Sequence, residues 1–568
     1  MHDSQMNPDG CVAAGVLLGD ISLNNFLYDP DTLRVSLIDV ETAALPGEET
    51  AAVHVVTPGY AAPQRFERPE LRASDDAFSV GASLLSLLVP LNHIRILQPD
   101  LMETLLERVA QDAPVGDAWL SVVRGLLDDD EAARLTLDAA CEALATALAA
   151  ESGGPPRVTL ERPEGMPAAL PHGGQGEERA TGDERLLRFL EETAAGTARQ
   201  LVADATIQDG DSLFPTHWSG DHCALGYAYG ALGITGVLLD TLGELPKRMT
   251  EWIGRKVGLS IALDPPGLYD GLAGVAHGLW IHGYEDAACA ALSAACRHGS
   301  ALRDCTLFSG AAGIGMAAFE FFGRTRDQRW LDWAVNAGEW LWECRTPSEM
   351  GSCWPSDDGL VHLGYLHGAS GVAAFFLRLL DTTSDQRYLT RAIEAIQFDI
   401  DKGEYLANGG LSFPGTVQRT SSPGILRPYL EYGSAGILVV ASRLAHATHD
   451  DTWADLATSV AKDVERSYSV NAGLFMGLSG MGCALLEAYD VLGLPEFLQA
   501  SRTVAKGLAL HRLKRLEGYG WPGDLGIRRS CEFAGGAAGV LVYLRQLLGV
   551  GHVRPLLGEA HIVTRPRV

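Results

Sequence analysis

Cysteine is sparse in this chain: ten in 568 residues, with no C-x-x-C pair and no Cys/His cluster at zinc-finger spacing. That excludes a disulfide-stapled scaffold and a zinc-ribbon module, and a reduced, cytoplasmic setting is the simplest expectation. No apolar run approaches the ~18 residues needed to span a bilayer. The opening Met1-His2-Asp3-Ser4-Gln5-Met6-Asn7 has neither the basic nor the apolar segment of a secretory signal. Basic side chains are in deficit, 44 Lys and Arg against 72 Asp and Glu, giving a net charge of −28. Such a field repels phosphate backbones and anionic lipid, so neither nucleic acid nor a membrane is an expected partner. A cationic or neutral peptide is compatible with it. Strictly alternating β-branched runs are scarce, which disfavours a β-propeller.

What the chain does have is glycine in a repeat. Gly-x-x-Gly, in most cases followed by Val or Ile, recurs at Gly233-Ile-Thr-Gly236, Gly271-Leu-Ala-Gly274, Gly310-Ala-Ala-Gly313, Gly368-Ala-Ser-Gly371, Gly433-Ser-Ala-Gly436, Gly477-Leu-Ser-Gly480 and Gly536-Ala-Ala-Gly539. Each opens an apolar helical segment. Between the motifs run amphipathic stripes, such as Leu186, Leu190, Ala194, Thr197 and Leu201, and Trp330, Trp333, Ala334, Ala337, Trp340 and Leu341. Successive motifs start 38 to 65 residues apart, room for one helical pair and its loops. The expected architecture is mainly α: a toroid of seven helical hairpins, inner helices starting at the glycines and amphipathic helices outside. Small residues in the first turn let the inner helices converge. Their N-terminal N–H groups are expected to be uncovered and to lend a concave mouth partial positive charge.

Residues 151–184 are rich in Gly, Pro and charge and read as a linker. The expected division is 1–150, a linker at 151–184, a ring at 185–550 and a tail at 551–568.

The first region carries another pattern. Leu18-Gly19-Asp20-Ile21-Ser22-Leu23-Asn24-Asn25 precedes Leu37-Ile38-Asp39-Val40-Glu41. Asp20 to Asn25 has the spacing of a protein-kinase catalytic loop, and Asp39 follows Asn25 by 14 residues, as the metal-binding Asp of Asp-Phe-Gly would. Phosphoryl transfer needs one carboxylate to orient the attacking hydroxyl, and an Asn and a second Asp to hold Mg²⁺ on ATP. Thr57-Pro58-Gly59-Tyr60-Ala61-Ala62-Pro63-Gln64 looks like the end of an activation segment. Ser74 to Gly81 looks like the helix whose Asp braces the catalytic loop, and Arg134 like the closing Arg of the fold. In order, these pieces resemble a helical protein-kinase C-lobe. The departures are Leu18-Gly19 for His-Arg, Asp39-Val40-Glu41 for Asp-Phe-Gly, and Gln64 for the Glu of Ala-Pro-Glu. Nineteen residues precede Asp20. The Gly-rich loop, β3 Lys and helix-C Glu are not among them, so an incomplete lobe is expected.

A kinase-like region ahead of a seven-motif Gly-x-x-Gly ring resembles the kinase–cyclase (class III-type) lanthipeptide synthetases, with 185–550 as a LanC-like cyclase. The resemblance implies a ribosomal precursor peptide as substrate. A kinase phosphorylates its Ser and Thr with ATP and Mg²⁺, a lyase eliminates phosphate, and the ring adds a Cys thiol to the resulting alkene. A separate protein supplying kinase N-lobe and lyase is an implied partner. Zinc-dependent relatives activate the thiol with two Cys and a His before the fifth and sixth motifs. Here those places read Leu430-Glu431 and Phe475-Met476, so no zinc is expected.

Two positions match the family. His367 immediately precedes Gly368, where the proposed acid/base His stands, and Arg427 lies six residues before Gly433. Asp270, directly before Gly271, is a further candidate by location, although relatives carry their mouth Asp at the place of Gly267. Asp270 and Glu431 can equally be read as helix caps, and His277 as packing. The implied catalytic set is Asp20, His367, Arg427 and Asp270, with Asn25 and Asp39 toward Mg²⁺ and nucleotide. The competing reading is a non-catalytic peptide-binding module or pseudoenzyme partner of a complete synthetase. A carbohydrate-acting toroid, using Asp270 and Glu431 as a carboxylate pair, is a third.

Overall fold

The computed structural model describes residues 16–29, 34–38, 42–46, 57, 59–66, 68, 70–89, 101–113, 115–151, 182–206, 212–215, 223–257, 265–356, 359–417, 425–526 and 528–554. The chain divides into two compact units, the first of residues 1–173 with 525–527 and the second of residues 174–524 with 528–568. Asp39, most of the 151–184 linker and most of the 551–568 tail lie outside the described residues.

In the first unit a hairpin pairs Phe26–Asp29 with Arg34–Leu37. Among the described residues four α-helices follow, Ala73–Ser86, Leu101–Asp112, Asp117–Leu126 and Leu137–Glu151. Ala77, Val122, Leu126 and Ala140 form a small core among them. Asp76, in the first turn of Ala73–Ser86, is buried and accepts the N–H groups of Leu18 (2.7 Å) and Gly19 (2.9 Å). Burial raises its carboxyl above the ordinary Asp value, and the two amides pull it back. Arg134 donates through Nη2 to Gln64 Oε1 at 2.9 Å, so an uncharged acceptor keeps the bond that the sequence pattern assigns to a Glu.

In the second unit, fourteen described helices alternate outer and inner. The inner seven are Ala231–Leu242, Leu272–Ile281, Ala311–Thr325, Ala369–Thr383, Ser434–Thr448, Leu478–Leu492 and Ala537–Leu547. They bury nearly every side chain in their N-terminal halves. The outer helices bury one stripe: Leu186, Leu190, Ala194, Thr197 and Leu201 are all buried, as are Trp330, Ala334, Ala337 and Leu341. The last inner helix packs on the first outer helix, Gly182–Asp204, and Trp521 Nε1 donates to Thr197 Oγ1 across the same seam at 2.9 Å.

The loops that precede the inner helices are tied to one another through the backbone. Ala228 N donates to Tyr269 O, Tyr269 N to Phe308 O, Phe308 N to Leu366 O, Leu366 N to Glu431 O, Glu431 N to Phe475 O, Phe475 N to Ala534 O, and Ala534 N back to Ala228 O. The circuit closes after seven steps, at 2.9–3.3 Å, and is the toroid stated in hydrogen bonds.

The glycines serve this circuit in two ways. The first of each pair caps the helix with extended backbone. The exception is Gly433, whose φ of +96° is left to glycine. The second sits in the first turn, where a Cβ would collide with the carbonyl oxygen six residues earlier: Leu268 for Gly274, Leu307 for Gly313, Tyr365 for Gly371, Leu474 for Gly480. This register corrects the first motif. The cap is Gly230 and the close approach is at Gly233, against Tyr227 O, whereas Gly236 would meet nothing nearer than Tyr227 Oη at 4.0 Å. Gly230-Ala-Leu-Gly233-Ile-Thr-Gly236 contains two overlapping Gly-x-x-Gly pairs, and the backbone collision selects the earlier.

The expectation of uncovered helix N-termini is also corrected. The first N–H of each of six inner helices is taken by a carbonyl seven residues upstream: Ala231 by Ala224, Leu272 by Pro265, Ala311 by Asp304, Ser434 by Arg427, Leu478 by Asn471 and Ala537 by Ser530. The loop caps its own helix, and these amides are spent on structure. At the fourth and fifth repeats, buried acids on the outer helices add a clamp. Asp399 accepts from Gly364 N, Ser370 N and Ser370 Oγ, and Asp463 from Ser412 Oγ and Ser434 Oγ.

Alanine at Gly274 or Gly371 must displace backbone. It is expected to lower stability by about 1–3 kcal/mol, as overpacking does. Gly236→Ala meets only open space and is expected to be neutral or to stabilise by up to about 1 kcal/mol. Thermal or urea unfolding of the three variants measures both signs.

Candidate active site at the mouth of the ring

His367 ends the fourth loop, between Leu366 of the circuit and the cap glycine Gly368. Its ring lies between two aromatic faces, Tyr432 at 4.9 Å and 11° and Phe308 at 5.0 Å and 26°. Its Nε2 pairs with Glu431 Oε1 at 3.1 Å. Two planar faces and one directed bond leave the imidazole one orientation, with Nδ1 available. Glu431 is therefore no helix cap: its carboxylate bonds the histidine, while its backbone carries the circuit. Tyr432 is pushed above its ordinary value by burial first and then by the Glu431 charge.

Asp270 occupies the same mouth. Its carboxyl lies where a side chain on Gly267 would begin, so the space vacated at 267 is filled from 270. It does not cap the helix, and its Oδ1 is buried with no hydrogen-bond partner. Burial, with Asp304 adding and His367 opposing, raises its pKa to about 6. Arg427 is exposed, and its backbone brackets the fifth loop: N donates to Phe413 O and O accepts from Ser434 N. A Cβ on Gly415 would meet both the Arg427 side-chain stem, at 2.9 Å, and the Tyr432 Cβ, at 3.4 Å, so Arg427 lies close to the tyrosine of the His367 stack. His277 is not in the mouth. It is buried, with Nδ1 on Glu320 Oε2 at 2.6 Å and its ring edge-on to Tyr227.

Where zinc-dependent relatives would carry ligands, this chain has Glu431 engaged with His367, the Phe475 ring packed on Tyr269 (4.9 Å) and Phe308 (6.1 Å), and Met476 in the core shell.

The sequence reading missed three residues. Asp524 and Glu532 converge on one point: a Cβ on Gly535 would lie 2.6 Å from Asp524 Oδ1 and 3.0 Å from Glu532 Oε1. Glu532 is fully buried and neither carboxylate oxygen has a hydrogen-bond partner. Burial first, then Asp524, raises Glu532 to about 8. Burial and then Glu431 raise Asp524 to about 6. Tyr229 is the third. Burial raises its phenol most, and Glu431, Asp524, Glu532 and Tyr432 raise it further, so all four lie within electrostatic range of one ring. Tyr229 directly precedes the cap glycine Gly230, as His367 precedes Gly368, and Glu532 lies four residues before the cap glycine Gly536; Asp524 stands in no such relation to the repeat.

In the first unit, Asp20 accepts from Thr57 N (2.8 Å) and Thr57 Oγ1 (3.1 Å), and Asn25 Nδ2 donates to the Asp20 carbonyl at 2.9 Å. Asp20, Asn25 and Thr57 thus form one bonded cluster, and Asp76 holds the amides of the two residues before Asp20.

Residues 301–548 match the family model described as lanthionine synthetase C-like protein. Over those residues the chain is similar to LanC-like lanthionine synthetase domains. The match spans the third to seventh inner helices and the whole His367–Glu431–Tyr432 group. The chain is 26% identical over 543 residues to a probable SapB synthase of Streptomyces coelicolor, covering 94% of this chain and 56% of that protein. It therefore spans little more than half the length of that relative. Among solved structures it is similar to nisin cyclase (TM-score 0.46, 17% identity, 66% of this chain and 98% of that one). It is also similar to an α-1,6-mannanase of Salegentibacter sp. HEL1_6 (TM-score 0.40, 12% identity, 62% and 98%). No described helix is long and apolar enough to cross a membrane.

Asp270, Asp399, Asp524 and Glu532 all hold their protons more tightly folded than unfolded, to about 6, 7, 6 and 8. Between the ordinary carboxyl range near ~4 and these folded values, the folded chain binds more protons than the unfolded one. Their contribution to stability is therefore full below about pH 4 and lost as pH rises toward ~8. Glu532→Gln removes the charge that burial penalises. Its unfolding midpoint is expected to exceed that of the unsubstituted protein at about pH 9 and to converge with it at about pH 5, as thermal melts across that range would show.

Proposed function

We propose that the LanC-like domain closes thioether rings in a ribosomal precursor peptide, adding Cys thiols to dehydrated Ser and Thr without zinc. The observation that carries this is His367, held between Phe308 and Tyr432 and paired with Glu431, in the mouth of a domain matched to that family. With Nε2 on Glu431, Nδ1 takes the thiol proton as the sulfur attacks the alkene, and Glu431 stabilises the imidazolium that forms. Arg427, exposed beside the stack, supplies a charge for the developing enolate or a grip on a peptide carbonyl. Asp270, on the second loop, is within electrostatic range of His367. The donor set where zinc-dependent relatives bind metal does not suit zinc, and no step passes through one.

For the first unit we propose a kinase C-lobe, acting on Ser and Thr of the same peptide as part of a kinase. Asp76 holding the Leu18 and Gly19 amides, Thr57 on Asp20, and Arg134 on Gln64 support this reading. Asn25, with its Nδ2 on the Asp20 carbonyl, has Oδ1 available to hold Mg²⁺, which when bound neutralises charge on ATP phosphates.

The test is to incubate the full chain with a dehydrated, Cys-containing precursor peptide and follow free thiol. Thiol is expected to disappear above the uncatalysed rate, and His367→Ala to slow it by ~10²-fold or more. Thiol loss at background rate, with the peptide nonetheless bound, would make the ring a peptide-binding module.

A further inference from the structure

We infer that Asp524 and Glu532 form a proton-sharing carboxyl pair that delivers the proton closing the thiol addition, Asp524 as the donor open to the mouth and Glu532 as the positioning residue behind it. This rests on the cyclase reading above. The geometry comes first. Both carboxyl groups reach the point where a Gly535 side chain would begin. Gly535 is itself pinned, since its backbone packs on Gly473 of the neighbouring loop. Glu532 is fully buried and neither of its oxygens makes a hydrogen bond of ordinary length and angle, while Asp524 is only half-buried. A buried carboxyl without partners is costly as an anion and cheap as an acid. A second carboxyl beside it makes retention of one proton by the pair more favourable still.

The groups around the pair agree. Facing Glu532 are Asp524, which raises its proton affinity, and the Ser530 hydroxyl, Arg528 and the Gly535 amide, which lower it. Glu431 faces Asp524, and the Tyr229 phenol is in range of both acids. Burial and like charge outweigh the three opposing groups, so the pair holds a proton near neutral pH. A carboxylic acid kept neutral in this way can protonate or hydrogen-bond a forming enolate.

The step balances. The thiol sulfur bonds to the alkene β-carbon as His367 takes its proton, and the π pair moves onto the α-carbon and carbonyl. The α-carbon then takes the proton of the Asp524–Glu532 pair. Solvent restores that proton and relieves His367 of its own, so one S–H and one π bond become one C–S and one C–H bond, with no oxidant or reductant.

The experiment measures kcat and KM of the full chain between about pH 6 and 9, with a synthetic peptide bearing one dehydroalanine and one cysteine, after subtracting the uncatalysed rate. Asp524→Asn is expected to lower kcat at neutral pH by ~10–100-fold with KM nearly unchanged. Glu532→Gln, which preserves shape, is expected to shift the alkaline limb of the kcat profile by about one pH unit or more toward lower pH, because the repulsion that holds the proton is gone. A Glu532→Gln profile that superimposes on the unsubstituted one overturns the inference. So does an Asp524→Asn effect confined to KM, which would make the pair a holder for a cationic side chain of the peptide. Absence of thiol loss in the unsubstituted protein removes the cyclase reading itself, and this inference with it.

Discussion

Seven loops pass a backbone hydrogen bond from one to the next until the last reaches the first. This closed circuit is the constraint on which the rest of the second unit depends. A loop packed into the middle of a helical ring carries N–H and C=O groups that water cannot reach, and each needs a partner. The circuit supplies partners sideways, from loop to loop, and the upstream carbonyls supply them lengthways, from loop to helix. Neither arrangement leaves room for a side chain at the third residue of the inner helix. Glycine stands there in every repeat because the carbonyl of the same loop already fills the space. The same geometry brings the residues just before each cap glycine together, and that is why His367, Glu431, Tyr432, Phe308 and Asp270 meet.

The architecture was legible in the sequence because its determinants are local. A glycine pair at the start of each apolar segment, and a stripe of small and apolar residues between segments, both survive in a linear reading. What failed also failed locally. Gly230 and Gly233 are the pair that the backbone demands, yet Gly233 and Gly236 match the same pattern, and only the collision with Tyr227 O distinguishes them. The helix N-termini read as an anion-attracting rim because the sequence does not reveal that carbonyls seven residues upstream already take those amides.

The site was legible only in part, for the opposite reason. His367 stands next to a glycine of the repeat, so position alone singled it out. Its partner Glu431 lies 64 residues away and had the bland alternative of a cap. Asp270 was out of register with its expected place, yet its carboxyl enters the volume that Gly267 leaves empty, so a mismatch in sequence is repaired in space. Asp524 and Glu532 carry no periodic signal together, since what joins them is the folding of one loop around Gly535.

The mouth is more acidic than the proposed chemistry would first suggest. Four carboxyl groups, Asp270, Glu431, Asp524 and Glu532, surround a reaction that passes through a thiolate and an enolate, both anions. Were all four ionised, they would raise the cost of each anion in a low-dielectric site. Burial resolves the conflict by separating their roles. Glu431 is bonded to His367, where its charge favours the imidazolium formed as the thiol loses its proton. Asp270, Asp524 and Glu532 are pushed toward the neutral form, in which they repel no anion and can donate a hydrogen bond or a proton. Zinc-dependent relatives lower the cost of the thiolate with a metal charge. In the proposed mechanism this chain lowers it by coupling deprotonation to an oriented base and meeting the enolate with the one proton that the buried Asp524–Glu532 pair retains. Peptide entering the mouth would displace further water and strengthen both effects, so the pairing of a bonded base with unbonded buried acids is the feature that makes a metal-free addition chemically coherent.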